Sequence, residues 1–259
     1  MLAQFLFIIG SIFCIPLLPF LIYQGKKVRK AVPKLPEAGG PKQGLTRTSK
    51  SPLKLLTLGE STIAGVGVKT HKVGLTGHLA QAIDQQMGRA VTWEVIAKTG
   101  YKTQDVREIL VPKISDKNYD LIVIGLGGND TFQMTTPWRW REEFIRLLQA
   151  LRQKQPTSKI VIANMPPIGQ FPAFPWVIQF VLGSLVKLHG IALRDVPSQF
   201  QGVYYVDQAV NFENWLTNTP DNLSIDDFFS DGIHPSELAY ELWGKEIAEF
   251  VNQEAVLSK

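Results

Sequence analysis

Cysteine is nearly absent from this chain of 259 residues, because the single cysteine, Cys14, lies inside an apolar N-terminal segment. The rest of the chain therefore has no disulfide, no cysteine nucleophile and no cysteine metal ligand. Phosphate-loop patterns are also absent, since neither Gly-x-x-x-x-Gly-Lys-Ser/Thr nor Gly-x-Gly-x-x-Gly occurs. No cluster of histidines and carboxylates has metal-ligand spacing, so we predict no metal site.

Charged side chains are missing from residues 1–23, where only Gln4 and Ser11 are clearly polar. A helix of this length, at ~1.5 Å per residue, reaches across a hydrocarbon core of ~30 Å. No basic residue precedes the apolar run, as one would before the apolar core of a cleaved signal peptide. We therefore predict a transmembrane anchor over residues 1–23, with an uncleaved or cleaved signal sequence as the alternative.

Basic residues are concentrated just after this segment. Residues 24–54 carry nine lysines and arginines against Glu37 alone, a net charge of +8, which leaves −4 for the remainder of a chain of net charge +4. Residues 24–52 are predicted to be a basic, flexible linker. The positive-inside rule then predicts a single-pass protein of the bacterial inner membrane with a cytoplasmic domain. A periplasmic or secreted location is the alternative. The mildly acidic domain argues against a nucleic-acid partner.

Strands and helices alternate from residue 53 onward. Alternation of this kind predicts an α/β domain with a parallel sheet covered on both faces. The predicted strands cover residues 53–58, 91–97, 119–124, 160–163 and 203–206. The predicted helices cover residues 74–87, 103–110, 137–153, 176–200 and 236–252.

Polar signals follow the first three strands and precede the last helix. Ser61 follows the first strand, Gly100 the second and Asn129 the third, so all three are expected at one carboxyl edge of the sheet. Asp231 and His234 are three residues apart, close enough for a carboxylate to meet an imidazole. These residue types suit acyl transfer, which needs an activated hydroxyl, a base with its partner, and donors for an oxyanion.

Each of these signals also has a structural explanation when it is taken alone. Ser61 is compatible with a helix cap, Gly100 with a turn, and the Asp231/His234 pair with a capping turn before the last helix. Their common position on one predicted edge favours a shared active site over separate coincidences.

The four blocks together resemble the SGNH (GDSL-like) hydrolase superfamily over about residues 53–252. The matching residues are 59–61, Gly100, 127–130 and 231–235. The resemblance implies a flavodoxin-like three-layer α/β/α sandwich with a five-stranded parallel sheet, formed by a hydrolase domain at 53–259. It also implies ester hydrolysis without a cofactor.

Matched position by position, the resemblance implies that Ser61 is the nucleophile, His234 the base and Asp231 its partner. The same matching assigns the oxyanion hole to Ser61, Gly100 and Asn129.

The chain departs from the family pattern at Glu60, where the family usually has aspartate before the serine. Glu60 lies outside the implied triad, but its extra methylene changes the packing of the turn. It is the one feature that favours the alternative of a catalytically silent, membrane-tethered binding protein.

Two apolar loops, residues 131–140 and 166–176, are predicted near the carboxyl edge. They would line an acyl groove, face the membrane or cover the core of the domain. With the anchor, they favour a lipid or lysophospholipid-type ester as the substrate. A carbohydrate O-acetyl ester is the alternative.

Overall fold

Six strands form one sheet in the computed structural model, which describes residues 2–219 and 222–257. The strands are β1 Gln43–Leu45, β2 Leu53–Gly59, β3 Val91–Ala97, β4 Leu121–Gly125, β5 Lys159–Ile162 and β6 Val203–Tyr205. Their order across the sheet is β1-β3-β2-β4-β5-β6, and all pairs except β1–β3 are parallel. The central strand β4 is buried along its whole length, as expected for a parallel strand covered on both faces.

Helices cover both faces of this sheet, which confirms the predicted three-layer α/β/α sandwich. One face packs against α3 (Leu75–Met87) and α9 (Glu237–Gln253). The other packs against α6 (Pro137–Lys154) and the end of α7 (Trp176–Leu193). The side chains of the parallel strands alternate between these two cores, so Leu55 belongs to the first core and Leu56 to the second.

The predicted five-stranded sheet was one strand short. The missing strand, β1, comes from the segment predicted to be a linker and pairs antiparallel with β3 at the edge of the sheet. Three residues without apolar alternation carry no strand signal in the sequence. Their position depends on a tertiary contact: a Cβ at Gly44 would lie 2.3 Å from the ring of Trp93.

Three short helical segments were not predicted from the sequence or differ from the prediction. The predicted helix 103–110 is one α-turn, α4 (Thr103–Asp105), continued by a π-helical stretch at Val106–Leu110. The helices α5 (Gly128–Phe132) and α8 (Phe212–Thr217) were not predicted, because each is too short to show a helical period.

The N-terminal segment is helical through α1 (Leu2–Cys14), a 3₁₀ turn at Ile15–Leu17 and α2 (Leu18–Ala31). The stretch Ala3–Ala31 is long and apolar enough to cross a membrane, and its most apolar window of 18 residues has a mean hydropathy of 2.6. After it, the chain runs along the domain. Ala38 donates its amide hydrogen to Ala64 O, and Glu37 accepts a hydrogen bond from the Thr99 amide at 2.8 Å. The division between linker and domain at residue 53 stays a prediction.

Candidate active site

Ser61 lies in the turn that follows β2, at the carboxyl edge of the sheet. The strand ends at Gly59, where a Cβ would lie 2.2 Å from the carbonyl oxygen of Gly125, so only glycine fits between β2 and β4. The chain then turns, and the Ala64 amide donates to Glu60 O at 2.8 Å. This turn leaves Ser61 partly exposed next to a strand whose residues 55–59 are all buried.

Asp231 and His234 form a hydrogen-bonded pair in the loop before α9. His234 Nδ1 lies 2.8 Å from Asp231 Oδ2, and the side chain of Asp231 is fully buried. The amides of Ile233 and His234 both donate to Asp231 Oδ1, at 2.9 and 2.7 Å. Because a carboxylate only accepts, the hydrogen of a neutral imidazole belongs on Nδ1, and Nε2 keeps a free lone pair.

The charge state of Asp231 depends on these bonds. Burial by itself raises the pKa of this carboxyl, but the hydrogen bonds from His234 and Ile233 outweigh it, and the pKa lies below its usual value. Asp231 is therefore an anion at neutral pH, in position to stabilise a protonated His234.

Asn129 lies in α5, directly after β4. The turn before it needs glycine, since Gly127 has φ +122° and a Cβ there would lie 2.3 Å from Met165 Sδ. Asn129 Nδ2 donates one hydrogen to Tyr101 O at 3.0 Å, which leaves the second hydrogen of the amide free. This bond joins the turn after β4 to the turn after β3, which contains Gly100.

Glu60 links the serine turn to the same helix. Its carboxylate, only 5% exposed, accepts hydrogen bonds from the amides of Gly128 at 2.7 Å and Asn129 at 2.9 Å. These amides belong to the first turn of α5, where free N–H groups need an acceptor. Burial raises the pKa of Glu60 to about 8, although both amides favour the charged form. Glu60 therefore fits this position as the hydrogen-bond acceptor for the free amides at the start of α5.

Asp130 makes the corresponding link to α4. It accepts from the amide and the hydroxyl of Thr103, at 2.9 and 2.8 Å, and Trp140 Nε1 donates to the same hydroxyl at 3.1 Å. The sequence analysis gave no role to Glu60 or Asp130 beyond the motif. Their position directly beside Ser61 and Asn129 was the only available signal.

The loop of Asp231 and His234 packs on the serine turn. Ser230 Oγ donates to Gly67 O at 2.9 Å, and Tyr240 in α9 donates its hydroxyl hydrogen to Val66 O at 2.7 Å. All the predicted site residues therefore lie on turns that contact one another at one edge of the sheet. Within residues 2–219 and 222–257, neither Ser61 Oγ nor His234 Nε2 makes a hydrogen bond, so both atoms are free to meet a substrate.

Groups of three or more histidines, cysteines or carboxylates that could hold a metal ion do not occur in the part of the chain that the structure describes. The polar groups at the carboxyl edge are instead a hydroxyl, an imidazole–carboxylate pair and uncommitted amide donors. Such a set suits nucleophilic attack on a carbonyl group.

The model of the GDSL-like Lipase/Acylhydrolase family matches residues 57–242, well over half of the chain and every predicted site residue. A search of curated proteins found no match. Many solved structures share the fold.

One such structure is the lipase/acylhydrolase from Enterococcus faecalis, at 22% identity and a TM-score of 0.52, covering 78% of this chain and 96% of that one. A lipolytic G-D-S-L family protein from Veillonella parvula matches at 14% identity and 0.58, covering 78% and 99%. The family 3 carbohydrate esterase from Clostridium thermocellum matches at 14% and 0.57, covering 79% and 97%. At these identities the solved structures show only a common fold, whereas the family model matches the amino-acid sequence itself. The chain therefore belongs to the GDSL-like lipase/acylhydrolase family and is a hydrolase of ester bonds.

Proposed function

We propose that the protein is a serine esterase whose triad is Ser61, His234 and Asp231. The observation that carries the proposal is the 2.8 Å bond between Asp231 and His234 Nδ1, which leaves the lone pair of Nε2 available as a base. Asp231 is an anion with fully satisfied oxygens, so it holds the required tautomer of the ring.

The oxyanion hole would be formed by the amides of Ser61 and Gly100 and by Asn129 Nδ2. Gly100 has φ +85° and its Cα position is open, so nothing obstructs the approach of a substrate oxygen. Asn129 is held by Tyr101 O through one amide hydrogen and offers the other. Glu60 fixes the backbone of Asn129 and so positions this donor before the substrate arrives.

The reaction follows from these roles. His234 Nε2 takes the proton of Ser61 Oγ as this oxygen attacks the ester carbonyl, and the negative charge forms on the carbonyl oxygen in the hole. The protonated His234, stabilised by Asp231, gives the proton to the leaving alkoxide, and an acyl-serine remains. A water molecule then attacks the acyl group with His234 again as base, and Ser61 is released with its proton restored.

A fluorophosphonate probe tests this assignment, because it reacts only with an activated serine. The wild type is expected to be labelled, whereas Ser61→Ala, of equal fold by circular dichroism, is expected to be unlabelled. Ser198→Ala is the matched control, since Ser198 is an exposed serine outside the site and its removal should leave labelling unchanged. Absence of labelling in the folded wild type would favour the silent binding protein.

For the substrate, we propose a lipid or lysophospholipid-type ester. Of the two apolar loops, Phe171 and Phe174 are buried in a small cluster, while Met134, Trp138 and Trp176 are exposed. Phe132 packs edge-to-face on Phe174 at 5.9 Å, so the two loops meet. An exposed apolar border of this kind suits an acyl chain better than a sugar.

A carbohydrate O-acetyl esterase is the second candidate, favoured by the fold shared with the Clostridium thermocellum carbohydrate esterase. A panel of lysophospholipid, medium-chain and acetylated-sugar esters separates the two. We expect the first two classes to be cleaved with the higher kcat/KM, and a clear preference for acetylated sugars would reverse the choice.

We further propose that the apolar N-terminal helix attaches the protein to the bacterial inner membrane, with the domain on the cytoplasmic side. The support is its length, its hydropathy and the cations in its last turns. Protease added to intact cells should leave the domain uncut, and digestion from outside would place it on the other side.

A further inference from the structure

The N-terminal helix pair, α1 and α2, lies along the domain. It contacts the domain through one narrow row of side chains, which we call the seam. Phe7 packs edge-to-face on Trp138, with 5.4 Å between ring centroids. Farther along, Leu21 and Val28 pack against the apolar cluster of Ile168, Phe171, Phe174 and Ile178. These contact residues are separated by multiples of seven, so they share one side of the helix. The seam therefore extends from the start of α1 to the end of α2, antiparallel to α7.

The other sides of this helix pair are exposed and apolar. Phe13, Ile15 and Tyr23 are 74%, 65% and 66% exposed. The neighbouring helix α7 adds Trp176 and Phe180, one turn apart and 76% and 68% exposed. Together these side chains expose far more apolar area than the single exposed residues that are usual on a soluble domain.

Charged side chains of the domain lie at the level of α1. Ala3 is buried against a groove lined by Arg141, Glu142, Arg194 and Asp195. If α1 crossed a bilayer while packed in this way, these four charges would lie within the hydrocarbon, where each is costly. A helix that lies in the plane of one leaflet keeps them in water, on the domain side of the seam.

We propose that α1, α2 and the beginning of α7 form an in-plane membrane-binding surface, with a bilayer leaflet as its partner. This arrangement replaces the single membrane crossing predicted from length and composition. Lys26, Lys27, Arg29 and Lys30 follow the apolar run on α2 and reach the level of anionic headgroups. Exposed apolar side chains next to a basic turn are the composition that binds an anionic interface.

The surface also borders the active site. The Ala173 amide donates to Gly232 O at 3.2 Å, so the segment leading into α7 contacts the loop of Asp231 and His234. If Trp176 and Phe180 insert into the leaflet, the carboxyl edge of the sheet would therefore lie at the lipid interface. This part of the inference rests on the proposed esterase function: the substrate would enter from the leaflet.

The topology test uses the full chain with an epitope tag before Met1 and a second tag after the last residue. Both tags are probed with antibody and protease in right-side-out and inside-out membrane vesicles. If α1 and α2 lie in the plane of one leaflet, both tags should be accessible from the same side of the membrane. Access from opposite sides would show a membrane crossing and overturn the proposal.

A binding test uses vesicles of three parts phosphatidylcholine to one part phosphatidylglycerol. The Trp176→Ala/Phe180→Ala variant should bind at least several-fold less than the wild type. Leu45→Ala/Ile109→Ala is the matched control, because both residues are exposed but belong to other parts of the fold, and it should bind normally. Equal binding of all three proteins, or a stable dimer that does not bind vesicles, would contradict the proposal. Ser61→Ala should bind like the wild type, so an inactive enzyme would not be mistaken for failed seating.

Discussion

Two buried carboxylates at the same edge of the sheet have opposite tendencies to ionise. Glu60 and Asp231 each accept hydrogen bonds from two successive backbone amides. Asp231 has a further partner, the ring of His234, and its pKa lies below the usual value. Among the residues that the structure describes, Glu60 has no cationic partner, and burial raises its pKa to about 8.

The difference shows that burial and amide donors do not by themselves decide the charge of a carboxyl group. In the proposed reaction the ring of His234 becomes a full cation, and an anion at position 231 would stabilise it. At position 60 the carboxyl group only has to hold the first turn of α5, which an acid with a high pKa also does. We therefore assign chemistry to Asp231 and positioning to Glu60.

Of the substitutions that test this difference, Asp231→Asn should cause the largest loss of activity. An amide nitrogen opposite His234 Nδ1 favours the tautomer with the hydrogen on Nε2, which cannot act as a base. We expect kcat/KM for an ester to fall by about 10⁴-fold. Circular dichroism checks the fold, and a loss of less than about tenfold would show that His234 does not depend on Asp231.

Removing the amide of Asn129 tests the part of the site that Glu60 positions. Asn129→Ala should lower kcat by about 10²–10³-fold, the usual cost of one oxyanion donor, with a much smaller change in KM. Steady-state kinetics on a soluble ester provides the measurement. An unchanged kcat would remove Asn129 from the oxyanion hole.

Shortening Glu60 by one methylene tests whether its length matters. In Glu60→Asp the carboxylate no longer reaches both the Gly128 and Asn129 amides from the observed turn. We expect a loss of about 1–3 kcal/mol in the free energy of unfolding, as for an unpaired buried group, together with a lower kcat. Urea unfolding measures the first quantity. Unchanged stability and rate would mean that the turn adapts to either acid.

The pH should also change the stability of the fold through the charge of Glu60. The unfolded chain releases this proton near the ordinary pKa of 4.5, whereas the folded protein retains it up to a pKa of about 8. The resulting stabilisation is complete below pH 4.5 and is lost as the pH rises towards 8, by at most about 1.4 kcal/mol per pH unit.

Glu60→Gln, which cannot titrate, provides the reference for this measurement. The unfolding free energy of the wild type minus that of the variant, followed by urea titration, should fall across this interval. The subtraction cancels the contributions of other groups. A flat difference would mean that Glu60 is ionised in the folded protein at all these pH values.

Much of the fold was predictable because it depends on local patterns. The apolar run at residues 53–58 and the helical period at 74–87 predicted β2 and α3 to within a residue or so. The strand β1 was not predictable, since three residues become a strand only when Gly44 packs beside Trp93. The helix α5 was missed because five residues are too few to show a helical period.

The candidate site was predictable as a set of residues but not as a network. Residue types and their order suggested Ser61, Asn129 and His234. The bonds that join their turns, such as Asn129 to Tyr101 O, connect residues that only the fold brings together. Sequence spacing also could not show that Glu60 reaches a helix 68 residues away.

The sequence by itself determined the α/β alternation, the carboxyl edge on which the polar turns meet, and the residue types available for acyl transfer. These follow from short-range periodicity and from the geometry of parallel sheets. Only the tertiary structure decided the roles of the two buried carboxylates and the position of the N-terminal helix along α7. Burial, amide donors and packing partners are supplied by segments distant in the chain, and these set the pKa of a carboxyl and the free face of a helix.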